Sequence, residues 1–360
     1  MIERSSPAAA PHAQGSFGGT IPVVDLARRA ARLGPELEPA IARVLASGVY
    51  LLGPELAAFE SELAAYSGRR HAIGVASGTD ALRLALLAMG VGPGDEVIVP
   101  AFTAVPTAAA VCAAGATPVF VDIDPATAAL DAAAAERALT ERTRAIVPVH
   151  LYGRPAPIPD LGVPVLEDAA QAFGALEPSN GSAAVACSFY PTKNLGGMTD
   201  GGAVLTDDDD VAATVRLLRV HGLTDGYVHT RVSTNARLSE LGAAILRVGL
   251  PHLDADNARR RAIAARYRDA APDLAWHAPH ERHVYHLCVA RVAERDTFRD
   301  GFPFATGVHY PIPLTKQPAY AEFVRDACPN AEAWAHECVS FPCFPEMTDD
   351  EIEAVCRTLQ

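Results

Sequence analysis

Between residues 72 and 206, short unbroken apolar runs alternate with stretches of helical spacing. The runs are 72-AIGVA-76, 96-EVIVP-100, 118-PVFVDI-123, 144-RAIVPVH-150, 163-VPVLED-168, 183-AAVACSFY-190 and 202-GAVLT-206. A strand that is apolar on both faces is one whose two faces are both covered, which predicts a mostly parallel sheet between two helical layers. Helical patterns fall at 34–48, 54–66, the stretch after 72–76 that Gly90 stops, 103–114 and 131–139. From about 238 the pattern changes to amphipathic helices at 238–250 and 256–270, a strand-like run at 283–292 and a last helix at 349–359. We therefore expect an α/β protein in three parts. Residues 1–20, rich in Ala, Pro, Gly and Ser, form a flexible tail that lacks the features of a signal peptide. Residues 21–245 form a large three-layer α/β/α domain, and 246–360 a smaller α+β domain.

Composition narrows the function. A formal net charge of −13 argues against a nucleic-acid partner or an anionic membrane surface. No apolar run reaches membrane-spanning length. The seven cysteines are scattered and include no CxxC pair, so neither a disulfide framework nor a metal site is expected. A cytoplasmic protein is expected. The 30 basic residues include only two lysines, Lys193 and Lys316. Arg replaces Lys as a surface charge but not where chemistry needs a primary amine. Lys316, in PLTKQPAY, reads as an exposed loop charge.

Ligands of such sheets sit at the carboxyl ends of the strands, and four polar groups gather there. In 77-SGTDAL-82, Gly78 and Thr79 open a helix whose free N–H groups suit a phosphate, although Ser77, Thr79 or Asp80 could equally be a cap. In 167-EDAAQA-172, Asp168 could cap the next helix or hold a proton on a heterocyclic nitrogen, with Gln171 one turn away. In 188-SFYPTKNLGGMTDGGAVLT-206, Ser188 precedes Lys193 amid Gly196, Gly197, Gly201 and Gly202. Asn235, in 235-NAR-237, stands before a helix, where a cap is the plain alternative. As an ordered set these supply a phosphate cradle, a carboxylate and an amine, the requirements of pyridoxal 5'-phosphate.

The motifs SGTDAL, TPVFVDIDP, PVHLYG, VLEDAAQAFGA, SFYPTKNLGGMTDGGAV, NARLSELGAAIL and GVHYPIPL resemble those of the DegT/StrS sugar aminotransferases, pyridoxal-phosphate enzymes of fold type I, over residues 21–360. The resemblance implies that Lys193 is the Schiff-base lysine and proton shuttle. It implies that Asp168 pairs with the pyridine nitrogen, that Gln171 approaches the ring hydroxyl, and that Gly78, Thr79 and Ser188 hold the phosphate. Asn235 would reach the cofactor of a second subunit, making a homodimer with shared active sites. His309 and Tyr310 match a substrate-side pair, and His221 lies in another loop near the site. The implied reaction is ping-pong transfer of an amino group from glutamate to a nucleotide-linked keto-deoxysugar. Amination of a cyclitol or other cyclic ketone, a sugar dehydratase and a non-catalytic regulator are the alternatives, and Lys193 counts against the dehydratase.

Several positions depart from the family. Ala104 stands where an aromatic usually stacks on the ring, with Phe102 two residues away as a substitute. Cys187 replaces a common Phe and Phe173 a frequent His. The stretches 154–162, 174–185 and 299–307 are short for the family.

Overall fold

A computed structural model describes residues 21–178 and 180–360, so the expected tail at 1–20 lies outside the described residues. The strands of the first part are β1 (His71–Val75), β2 (Glu96–Pro100), β3 (Thr117–Val121), β4 (Thr143–Ile146), β5 (Leu166–Asp168), β6 (Ala184–Ser188) and β7 (Gly202–Thr206). β3, β2 and β4 pair in parallel, and so do β5 and β6. Parallel bridges from Ile146 to Val165 and from Val149 to Asp168 join β4 to β5. β7 runs antiparallel between β6 and β1. The result is one twisted sheet in the order β3-β2-β4-β5-β6-β7-β1 with a single reversed strand, the mostly parallel sheet that the apolar runs predict.

The helices are α1 (Leu26–Ser47), α2 (Pro54–Ser67), α3 (Gly78–Ala88), α4 (Val105–Ala113), α5 (Ala132–Arg137), α6 (Asp209–Leu218), α7 (Glu240–Gly249), α8 (Leu253–Ala270), α9 (Arg295–Gly301), α10 (Pro329–Glu337) and α11 (Asp349–Leu359). Alternate strand residues feed different layers, as the period of two requires. Ile73, Val75, Ala184 and Ala186 pack with α3, α4 and α6, while Ala72, Val185 and Cys187 pack with Leu56, Phe59 and Leu63 of α2 and Leu246 of α7. The Cys187 thiol is fully buried beside Phe173 and Phe189. A further core joins α8 and α11 to an antiparallel sheet of β8 (Ala275–Trp276), β9 (Cys288–Arg291) and β10 (Cys338–Phe341). Ile21 and Val24 pack in that core although they precede the first sheet in sequence.

Two elements differ from expectation for tertiary reasons. The helix predicted at 34–48 starts at Leu26 and runs through Pro35 and Pro39. Arg28 pairs with Glu351, Arg32 with Asp256 and Glu346, and Arg29 donates to the carbonyls of Pro191 and Lys193, so its polar first turns are fixed from outside the helix. The run 283–292 forms a strand only at 288–291. Its first half leaves the sheet, and Val284 and Leu287 donate backbone N–H groups to the carbonyls of Gly153 and Tyr152. No described helix is long and apolar enough to cross a membrane.

Candidate active site

The carboxyl ends of β1, β2, β4, β5 and β6 converge on a cavity of about 220 Å³. Its walls include Gly78, Thr79, Thr103, Ala104, Asp168, Gln171, Ser188 and Lys193, with Tyr190 and Asp200. Gly78 and Ser188 are brought together by close packing of α3 on β6: a Cβ on Gly78 would lie 2.7 Å from that of Ser188. Gly202 permits the same approach from β7, since its Cβ would fall 2.3 Å from the carbonyl oxygen of Ser77. Ser77 is the helix cap, its hydroxyl accepting the Asp80 N–H at 3.0 Å, which leaves Gly78 and Thr79 to present the free end of α3.

Asp168 is buried at the end of β5. One carboxylate oxygen accepts the Thr107 hydroxyl at 2.8 Å and the other the Ala170 N–H at 3.1 Å. Burial raises its pKa, opposed by those two donors and by Lys193. Lys193 is half-buried, and desolvation lowers its pKa from 10.5 to about 8 against the opposite pull of Asp168. Gln171 reaches back to the loop after β4, accepting the Tyr152 N–H at 2.6 Å and donating to the Tyr310 hydroxyl at 2.8 Å. Tyr152 holds φ at 60°, and its hydroxyl donates to the His309 carbonyl. The His309 ring bonds Ser340 at 2.8 Å, and burial, then Lys193, lowers its pKa to about 4.

The structure thus gathers Gly78, Thr79, Asp168, Gln171, Ser188 and Lys193 around one cavity and connects Tyr310 and His309 to it through Gln171 and Tyr152. It does not bring His221 or Asn235 to this wall. Both are exposed, His221 at φ 65° and Asn235 accepting from Arg237 Nε at 2.9 Å. Asn235 caps no helix, because Ser239 caps α7. Phe102 does not replace the aromatic absent at 104. It is fully buried against Tyr310 and Trp334, whereas Ala104 itself faces the cavity. The extended geometry that would place the two on one face fails because the chain bends over residues 101–103, before Ala104. Sequence reasoning missed Thr103, Thr107, Tyr190 and Tyr152, since no spacing signal links Thr107 to a carboxylate 61 residues on. Lys316 is exposed and paired with Glu332 at 3.0 Å.

A desolvated amine and a buried carboxylate that forms no salt bridge among the described residues share this cavity with a free helix end, the donor set that a phosphorylated pyridine aldehyde needs. The protein is a pyridoxal-phosphate-dependent aminotransferase. The chain belongs to the DegT/DnrJ/EryC1/StrS aminotransferase family, whose model matches residues 32–360. It is 45% identical over 348 residues, 91% of this chain and 92% of the relative, to the dTDP-3-amino-3,4,6-trideoxy-alpha-D-glucose transaminase of Streptomyces venezuelae. Its fold matches that of S. venezuelae DesV in complex with a ketimine intermediate, with a TM-score of 0.90 and 42% identity over 94% of this chain and 97% of that one. NtdA from Bacillus subtilis, solved with bound cofactor PMP, matches with a TM-score of 0.90 and 29% identity over 94% of this chain and 84% of that one.

Proposed function

We propose that this enzyme moves an amino group from glutamate to a nucleotide-linked keto-deoxysugar in two half-reactions that use the same cavity. The relatives support the acceptor class: they include transaminases of dTDP-linked and UDP-linked sugars. The observation that carries the reading is the Lys193–Asp168 pair, a lysine with a pKa of about 8 beside a buried carboxylate. When bound, pyridoxal phosphate supplies an aldehyde that condenses with amines and a ring that takes up electrons released at the substrate α-carbon.

The chain's residues divide the remaining work. The amine of Lys193 is neutral often enough near pH 8 to act as nucleophile and then to carry a proton at Nζ. The Asp168 carboxylate, buried and in no salt bridge among the described residues, would hold a proton on the ring nitrogen. Gly78, Thr79 and Ser188 would receive the phosphate at the N-terminus of α3, and Gln171 would orient the ring edge. His309 and Tyr310, held by Ser340 and Gln171, are the residues we assign to the substrate side.

A second copy of the chain completes the site in this reading. The surface we assign to that contact is the arm between His221 and Asn235, on which Tyr227 and Val232 are 85% and 102% exposed. The net charge of −13 supports a small-molecule role without nucleic acid, and the working compartment we assign is the cytoplasm.

The test is an absorbance scan of the purified protein. Glutamate should discharge the bound cofactor's visible-edge band and release one equivalent of 2-oxoglutarate per site. A nucleotide-linked keto-deoxysugar should then restore the band. Discharge by glutamate with restoration only by a cyclic ketone lacking a nucleotide would replace the acceptor. No discharge by any amino donor would refute the transaminase mechanism.

A further inference from the structure

Thr107 does not itself line the cavity, yet it makes a direct side-chain bond to Asp168, which does. It lies in the first turn of α4, 1% exposed, and its hydroxyl stands 2.8 Å from Asp168 Oδ2. The Thr103 hydroxyl lies 3.2 Å from that of Thr107, also buried, and Thr103 does line the cavity. A carboxylate only accepts, so Thr107 must donate to Asp168, and its oxygen is then free to accept from Thr103. The order is Thr103 to Thr107 to Asp168, a short chain of donors running from the cavity wall to the carboxylate.

We propose that Thr107 is a positioning residue for the cofactor, its hydroxyl fixing the Asp168 carboxylate so that its remaining lone pairs face the cavity. The proposal rests on the reading of Asp168 as the partner of the ring nitrogen. The bond does two things. With the Ala170 N–H on the other oxygen, it leaves the carboxyl plane one orientation. It also offsets the burial that favours the neutral acid, for which Thr107 is the largest opposing influence. A neutral Asp168 could not hold a cationic ring, so loss of the hydroxyl that braces the carboxylate acts on the cofactor through Asp168.

The test measures equilibrium binding of two ligands to the cofactor-free full-length protein: pyridoxal phosphate, and its analogue with a carbon in place of the ring nitrogen. Thr107→Val should bind pyridoxal phosphate weaker by on the order of tenfold or more, the worth of a hydrogen bond to a charged group. It should bind the analogue as the native protein does. Thr107→Ser, which keeps the hydroxyl, should restore binding to within about twofold of native, a difference small against one such bond. In an Asp168→Asn background, Thr107→Val should add nothing. Equal losses for both ligands, or an undiminished effect in that background, would overturn the proposal. If Asp168→Asn loses affinity for pyridoxal phosphate and Thr107→Val does not, the proposal alone falls. If Asp168→Asn loses none, the reading of Asp168 falls and takes the proposal with it. Should Thr107→Val not fold, judged by thermal melting, Thr107→Ala is measured in the same way.

Discussion

Covalent capture of pyridoxal phosphate by the cofactor-free protein should follow the titration of a single amine. Only a neutral amine attacks an aldehyde, and desolvation places the pKa of Lys193 at about 8 instead of 10.5. At pH 7, about one Lys193 amine in ten is then neutral, against on the order of one in 3,000 for an ordinary lysine, an advantage of roughly 300-fold. The neighbouring charges fix the sign of the profile. Asp168 pulls the pKa upward, and His286 and His309 stay uncharged in this range because burial drives both of their pKa values down. The initial rate should therefore climb about fivefold from pH 7 to 8 and about another twofold before levelling off above pH 9, as a single titration requires. Asp168→Asn should move the midpoint to lower pH. The assay is stopped-flow absorbance between pH 7 and 9.5, followed by borohydride and peptide mass analysis. The chain offers its own control, since the only other lysine side chain is the exposed Lys316. A midpoint near 10.5, or label on Lys316 and not on Lys193, would refute the reasoning.

Other outcomes can be checked beside it. Lys193→Ala should abolish turnover and leave the melting temperature within a few degrees of native, because the side chain makes no hydrogen bond among the described residues that the fold would miss; retained turnover would exclude the mechanism. Gly78→Ala should weaken pyridoxal phosphate binding, as its Cβ would press on Ser188 at 2.7 Å, and a titration showing native affinity would mean that α3 shifts at no cost. Glu240 is 1% exposed and accepts the backbone N–H groups of Gly53, Glu55 and Leu56, capping α2 from 184 or more residues away. Glu240→Ala should cost about 3 kcal/mol in urea unfolding, since buried donors are left unmade. Burial lowers the pKa of His277 from 6.5 to about 4, so the unfolded chain binds more protons between these values and stability falls as pH drops through that window. His277→Gln should remove up to about 3 kcal/mol of that loss, read as a flatter dependence of melting on pH.

What could be read from the sequence was whatever local chemistry determines. Seven apolar runs fall on the seven strands of the main sheet, because a strand covered on both faces must be apolar throughout. Lys193, Asp168, Gly78 and Ser188 stood out as single residues at strand ends, where the chain turns and ligands can enter. The extent of α1 was hidden, because its polar first turns are held by Arg28, Arg29 and Arg32 bonding to residues far along the chain. Phe102 and Ala104 show the same limit on a smaller scale: two residues apart in sequence, one is sealed in the core and the other faces the cavity, because the chain bends between β2 and α4.

By itself, then, the sequence determined the layered α/β architecture and the residue types at the site, since periodicity, turn chemistry and the scarcity of lysine are properties of short segments. The tertiary structure decided how those residues act. It set Lys193 and Asp168 against each other in a desolvated cavity, gave Asp168 its Thr107 donor, and tied Gln171 to Tyr152 and Tyr310. Burial and hydrogen bonds between distant segments carry no local signature, and they are what shift a pKa or aim a carboxylate.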